Sequence, residues 1–351
     1  MTPPPASRRD ALLVLAFALL LALPLVGTFA GLDRSGLDER RALSPLPGLP
    51  RNLAELATFP AQFESWQRDH FGFRSLHIYW VSKLQLSLFN LSASELVVVG
   101  KDGWLFHTND VSGHQPGFVL PDGTRETWRA LLISWNDRLA RRGIRFFLMI
   151  APDKSDLLPE MLPDRLAARS LQSPYDQLIA SLPERVGLID LRRAMRASGE
   201  QLYFKTDHHW NSAGALFAAR ALLAAVGGPV PLRSDYGVKQ LTPSGGDLAR
   251  ALGLQADLRE PDFRMVRATP LPKPGSPRIV MIHDSFGVPV DLFLQDLVPE
   301  WGLDINRAAQ EAPVFPQEAA PKVLVLELAE YRLRGPPELQ VYEPEIRRLS
   351  K

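Results

Sequence analysis

The chain has 351 residues, 46% of them hydrophobic, enough for one large α/β domain or two ordinary ones with a core that needs no metal or disulfide staple. Forty Lys and Arg against 39 Asp and Glu leave a formal charge of +1, so composition predicts no broad basic surface and no nucleic-acid partner. Cysteine is absent, which excludes disulfides, Cys-ligated zinc and a thiol nucleophile.

In chain order, residues 1–10 form a short tail carrying Arg8 and Arg9, and residues 11–32 form an uncharged run, ALLVLAFALLLALPLVGTFAGL. A helix of about 20 apolar residues crosses ~30 Å of hydrocarbon, and two arginines on the short side predict that the N-terminus stays cytoplasmic. The expectation is a single-pass signal anchor over 11–32. The competing reading is a signal peptide cut near Thr28-Phe29-Ala30, for which the run is long. Residues 33–60, rich in Pro, Arg and Leu, read as a linker, and 61–351 as the main domain. Residues 61–90 suit an amphipathic helical arm with a break near Gly72.

The rest alternates strand and helix. LVVVGKDGWLF, 96–106, reads as a hairpin with an Asp-Gly turn, and 125–143 as a helix stopped by glycine. IRFFLMIAPDK, 144–154, reads as a buried parallel strand with a functional loop at its carboxyl end. A helix is expected near 174–182, a strand at 186–190 and an alanine-rich apolar helix at 211–227. Strands follow at 278–287 and 322–333. This order predicts an α/β fold, a mostly parallel sheet with helices on both faces.

Two segments carry chemistry: Tyr203-Phe204-Lys205-Thr206-Asp207-His208-His209-Trp210-Asn211 and Ile282-His283-Asp284-Ser285-Phe286-Gly287. Ser285 follows an apolar strand at a tight turn, where ligands of open α/β sheets bind and where backbone N–H groups can meet an oxyanion. A serine hydroxyl needs a base, and His209, with Asp207 two residues away to hold its ring, supplies the complementary roles. Each residue alone has a plainer reading: Ser285 as a helix N-cap, Asp207 as a turn residue, His208 as a packed histidine. Asp207, His208, His209, His283 and Asp284 also form a set of potential metal ligands. They lack the His-x-x-x-His helix spacing, and no metal or other cofactor is expected.

The Asp-His-His-Trp run, the His-Asp-Ser-Phe segment, Gly100-Lys101-Asp102-Gly103-Trp104-Leu105-Phe106, Ala151-Pro152-Asp153-Lys154 and Gly246-Asp247-Leu248-Ala249 together resemble the periplasmic alginate O-acetyltransferase family, over about 60–335. The resemblance implies a three-layer SGNH-hydrolase-like domain and a triad of Asp207, His209 and Ser285. The triad runs in inverted order relative to ordinary SGNH hydrolases, so their oxyanion residues cannot be assigned by motif. Substrate contacts are expected from Asp153, Lys154, Trp210, Tyr331 and Arg332; for Lys101 turn chemistry or an ion pair is preferred. It also implies a polysaccharide acceptor, alginate-like or another exopolysaccharide, and a multi-spanning membrane acyltransferase that supplies acetyl groups. The motifs leave open an acetyl esterase with water as acceptor, and a non-catalytic anchored scaffold that binds polymer.

Overall fold

The computed structural model describes residues 8–31, 42–114, 119–167, 173–267, 278–295, 297–298, 300–304 and 321–349. Residues up to Ser94, with Arg250–Leu254, form one compact unit; Glu95–Ala249 with the chain from Gln255 form the other.

In the first unit, α1 (Arg8–Ala30) is the one helix among the described residues long and apolar enough to cross a membrane. Of the expected linker, 33–41 lie outside the described residues, as does residue 32 of the expected anchor, and 42–51 have no regular structure. Its last part is helical instead, because α2 (Leu53–His70) starts at an Asn-x-x-Glu signature. The Asn52 side chain accepts from the Glu55 N–H at 2.9 Å, and the Glu55 carboxylate accepts from the Arg51 N–H at 2.7 Å. The expected break is the turn Phe71–Phe73, after which α3 (Arg74–Phe89) begins.

The second unit opens with the anticipated hairpin, β1 (Val97–Val99) and β2 (Leu105–His107). Asp102 and Gly103 take the positive φ of 50° and 78° that its tight turn requires. The following elements are α4 (Thr108–Val111), α5 (Asp122–Ala140), β3 (Arg145–Ala151), α6 (Lys154–Leu157), α7 (Asp164–Ala167), α8 (Pro174–Ile179), β4 (Gly187–Asp190), α9 (Arg192–Ala197) and α10 (Ser212–Val226). Then come β5 (Tyr236–Gln240), α11 (Asp247–Ala251), β6 (Phe263–Arg267), β7 (Ile279–His283), α12 (Gly287–Leu294), β8 (Glu300–Asp304), β9 (Val323–Ala329) and α13 (Leu339–Leu349). The β5–β6 hairpin, β8 and α13 were not anticipated from sequence.

Five strands form one sheet in the order β4-β3-β9-β7-β8, and every neighbouring pair is parallel. β9 lies between β3 and β7. The chain winds outward from β3 to β4 on one side and from β7 to β8 on the other, so the winding reverses beside β9, and the crevice of an open α/β sheet opens at the carboxyl ends of these central strands. Side chains alternate between two cores. Leu148, Ile150, Ile282 and Leu326 pack with Trp128, Trp135 and Tyr342 of α5 and α13. Met149, Met281 and Val325 pack with Leu216 and Leu222 of α10 and Val290 of α12. Every residue of β7 and β9 is buried, as expected of parallel strands covered on both faces. The result is the three-layer arrangement implied by the family resemblance.

α10 is capped at both ends. The Asn211 side-chain Oδ1 accepts from the N–H groups of Ala213 and Gly214, and Gly227, at φ 74°, closes the helix. The Asn211 amide also donates to Gln201 O at 2.7 Å. Asn211→Ala removes the cap and strands a half-buried carbonyl, so urea denaturation should register a loss of about 2 kcal/mol.

Candidate active site

The nucleophile turn is built by a buried carboxylate. Asp284 directly follows β7, and its Oδ1 accepts from the Phe286 N–H at 2.9 Å. Its Oδ2 accepts from Ala329 N–H at 2.9 Å and Arg332 Nε at 3.0 Å, which pins the turn to the end of β9. Ser285 stands half-buried between these anchors. The N–H groups of Phe286 and Gly287 are engaged by Asp284, whereas the Ser285 N–H has no hydrogen-bond partner among the described residues.

Facing it is the loop 204–210. His209 Nε2 lies 2.9 Å from Ser285 Oγ, and His209 Nδ1 lies 2.7 Å from Asp207 Oδ1. A carboxylate only accepts, so Nδ1 carries the proton and the Nε2 lone pair receives the Ser285 hydroxyl. Asp207 also accepts from its own loop's His209 N–H at 2.9 Å and from Asp247 N–H at 2.9 Å. Burial works to raise the Asp207 carboxyl. The hydrogen bonds from His209 and Asp247, with the charge of His209, outweigh it and hold the group well below the usual carboxylate range. Asp207 is therefore ionised at neutral pH. Asp247 moves the other way, raised by burial and by the Asp207 charge beside it.

The loop is held from two sides. Lys154, 1% exposed, donates to the carbonyls of Phe204 (3.1 Å), Lys205 (3.4 Å) and Asp207 (2.8 Å). Glu260 accepts from the N–H groups of Lys205 and Thr206, each at 2.7 Å, and from the Thr206 hydroxyl at 2.6 Å. Gly246 is pressed onto Asp207 so closely that an added Cβ would sit 2.4 Å from the Asp207 Cβ. Trp210 Nε1 donates to Phe286 O at 3.0 Å and fastens the histidine loop to the serine turn beside the His209–Ser285 pair.

Three residues expected to touch substrate face inward. Lys154 supports the loop, Trp210 bridges the two catalytic segments, and Asp153 is buried against Arg334. Tyr331 and Arg332 are half-buried just past β9. Arg332 is engaged by Asp284 and Glu338, and the Tyr331 ring lies 6.0 Å from that of His208. Lys101 pairs with Asp164 at 2.7 Å. His208 packs against the His209 ring at 4.2 Å and lies 3.7 Å from Asp110, too far for a hydrogen bond. Burial opposes its protonation, but the Asp110 carboxylate raises it.

The five-residue ligand set weighed from sequence is not assembled. His283 is bonded to Asp291 at 2.8 Å and to Asp284 O at 2.7 Å, and both oxygens of Asp284 are occupied. His208, His209 and Asp247 do offer ligand atoms within 4.8 Å of one another. A cation there needs His209, whose two nitrogens serve Asp207 and Ser285, so it competes with the serine arrangement rather than assisting it. Sequence reasoning missed the roles of Asp247 and Glu260. They lie 40 and 54 positions beyond the residues they bind, and only the Gly246-Asp247 segment carried a signal.

Burial brings the Lys154 ammonium from 10.5 down to about 8, against the pull of Asp110 and Asp207. Below the folded value both states carry the proton, and the fold bears the full cost of a buried charge. Between about 8 and 10.5 the unfolded chain binds a proton that the folded chain has released, so stability rises with pH. The Tm of the wild type, measured against Lys154→Met by calorimetry, should climb as pH is raised through that window. A constant difference would contradict the assignment.

Residues 97–320 match the family model described as "SGNH hydrolase-like domain, acetyltransferase AlgX". A 176-residue stretch is 29% identical to the "Probable alginate O-acetylase AlgJ" of Pseudomonas syringae pv. tomato, covering 49% of this chain and 44% of that protein. The protein of the same name from Pseudomonas putida is 27% identical over 292 residues, 71% of this chain and 73% of its own length. The chain thus spans under half of the P. syringae relative. Among solved structures, the O-acetyltransferase domain of P. putida AlgJ aligns with a TM-score of 0.50 at 23% identity, covering 72% of this chain and 98% of that one. Bacillus cereus PatB1 aligns with a TM-score of 0.52 at 14% identity, covering 68% and 96%. Both likenesses concern the fold. With that fold, and with the family match running through both catalytic segments, the chain belongs to the family of SGNH hydrolase-like domains typified by acetyltransferase AlgX.

Proposed function

We propose that this chain is a membrane-anchored O-acetyltransferase that moves an acetyl group to hydroxyls of an extracytoplasmic polysaccharide through an acyl-enzyme on Ser285. The observation that carries the reading is the unbroken relay Asp207–His209–Ser285, at 2.7 and 2.9 Å. Ser285 Oγ attacks the acyl carbonyl as its proton passes to His209 Nε2, and ionised Asp207 stabilises the imidazolium. The Ser285 N–H is the donor left to meet the oxyanion. The imidazolium protonates the departing group, leaving acetyl on Oγ. A sugar hydroxyl then gives its proton to His209, attacks the acetyl carbonyl and releases Ser285 as the histidine returns the proton.

The named relatives support a polysaccharide acceptor, alginate or a related exopolysaccharide. Family resemblance supports a multi-spanning membrane acyltransferase as the acetyl source. In this reading α1 spans the bacterial inner membrane, Arg8 and Arg9 stay cytoplasmic, and the domain from about residue 61 works in the periplasm behind the linker. Tyr331, half-buried beyond β9, is its candidate substrate contact. An acetyl esterase is the second reading, since the relay serves water as well as a sugar hydroxyl. The partly open triad, with side chains of Asp207 and His209 about a quarter exposed, admits water and keeps this reading in view.

The full chain, solubilised in detergent, is given a chromogenic acetyl ester with and without an oligosaccharide acceptor. Ser285→Ala abolishes ester turnover, and Asp207→Asn lowers kcat by roughly 10³–10⁴ through the wrong histidine tautomer. Acetylated oligosaccharide, detected by mass spectrometry, marks the transferase; free acetate alone marks the esterase. Activity that survives in Ser285→Ala, or that a chelator removes, defeats the serine mechanism. Polymer binding without turnover in the wild type leaves the scaffold reading.

A further inference from the structure

The helix α3 exposes a row of large apolar side chains, with the polar His77 and Ser87 exposed among them. Leu76, Trp80, Leu84 and Leu88 recur at every fourth position and are each at least half exposed, with Val81 beside them. Four turns of such a stripe are far more than the scattered surface leucines of an ordinary soluble protein. The helix contains no carboxylate. Its cations are Arg74 in the first turn and Lys83, whose ammonium lies 5.1 Å from the Tyr79 ring and 5.9 Å from that of Trp80. Aromatic rings with an adjacent long cation are the groups that settle where hydrocarbon meets headgroups.

What lies next to this face is given by the same compact unit. The outer end of α1 is docked onto the turn from which α3 starts. Thr28 Oγ1 accepts from Gly72 N–H at 2.9 Å while donating to Pro24 O at 2.8 Å. An added Cβ on Gly72 would fall 2.3 Å from Pro24 O, and one on Gly27 would fall 2.9 Å from the Phe73 ring. The first residue of α3 is Arg74, so the apolar row, from Leu76, begins four residues after the Gly72 on which the outer end of α1 is packed.

We infer that the Leu76–Trp80–Leu84–Leu88 face of α3 lies on the outer leaflet of the membrane that α1 crosses, with Arg74 and Lys83 at the level of anionic headgroups. The inference rests on the anchored reading of α1. Its ligand is a phospholipid surface, and its consequence is that the chain meets the bilayer through two elements, one spanning and one lying along the interface.

The chain has no cysteine, so single-cysteine labelling is clean. Full-length Leu15→Cys, Leu84→Cys, Leu88→Cys and Gly123→Cys variants, each carrying a polarity-sensitive fluorophore, are reconstituted into vesicles of phosphatidylethanolamine and phosphatidylglycerol with nitroxide lipids. Labels at 84 and 88 should be quenched by shallow nitroxides at least about twofold more than the label at 123. Quenching at 15 without quenching at 84 and 88 overturns the inference while leaving the anchor standing. If in that case labels at 84 pair between molecules, the face is a contact between copies instead. A label at 15 that deep nitroxides do not quench defeats the anchored reading, and the inference falls with it.

Discussion

A single ammonium in the protein interior sets the shape of the catalytic loop. Residues 204–209 belong to no helix or strand, yet they must hold a carboxylate and an imidazole within tenths of an ångström of working geometry. Inward-facing backbone groups of such a loop need partners. Lys154 supplies them for three carbonyls, and Glu260 supplies them for two N–H groups and a hydroxyl. These bonds involve charged groups, the stronger kind, and come from opposite sides of the loop. Gly246 then fills the remaining space against Asp207, leaving no room for a side chain. The Asp207–His209–Ser285 arrangement is thus held in place by residues outside it, Lys154, Glu260 and Gly246.

The same logic explains how His209 and Ser285, 76 positions apart, become neighbours. α10 starts three residues after His209, at Ser212, and α12 starts immediately after Phe286. The two helices pack on each other, so the loops that lead into them lie side by side. The Trp210 indole bonded to Phe286 O adds a strap parallel to the catalytic pair. On the sheet side, Asp284 ties the serine turn to the end of β9, which the reversed winding has inserted between β3 and β7. Order along the chain is immaterial once these ends coincide.

Much of this was legible in the sequence. β3, β7 and β9 read as strands because covered parallel strands are continuous apolar runs, and α10 declared itself through its alanines, Asn211 and Gly227. That Asp207, His209 and Ser285 come together was legible because serine, imidazole and carboxylate have complementary roles and stood in segments that end strands or begin helices. The direction of Asp153, Lys154 and Trp210 was not. A charged residue after a strand points into a cleft or under a loop according to what folds over it. Lys154 binds carbonyls, which every residue possesses and no sequence advertises. The β5–β6 hairpin escaped because Gly237, Val238, Lys239 and Gln240 are all exposed and show no alternation.

The docking of α1 onto Gly72 bears on how the chain is processed. The small-x-small stretch Thr28-Phe29-Ala30 has the composition of a peptidase recognition site, but the Thr28 hydroxyl is already bridging Pro24 O and Gly72 N–H. Cutting there would strip from the rest of the chain a surface against which Gly72 is closely fitted, and would remove Gly27 from the Phe73 ring. In the anchored reading, α1 is therefore also a packing partner of the turn at Gly72, and that fit would give its retention a structural reason beyond the length of its apolar run.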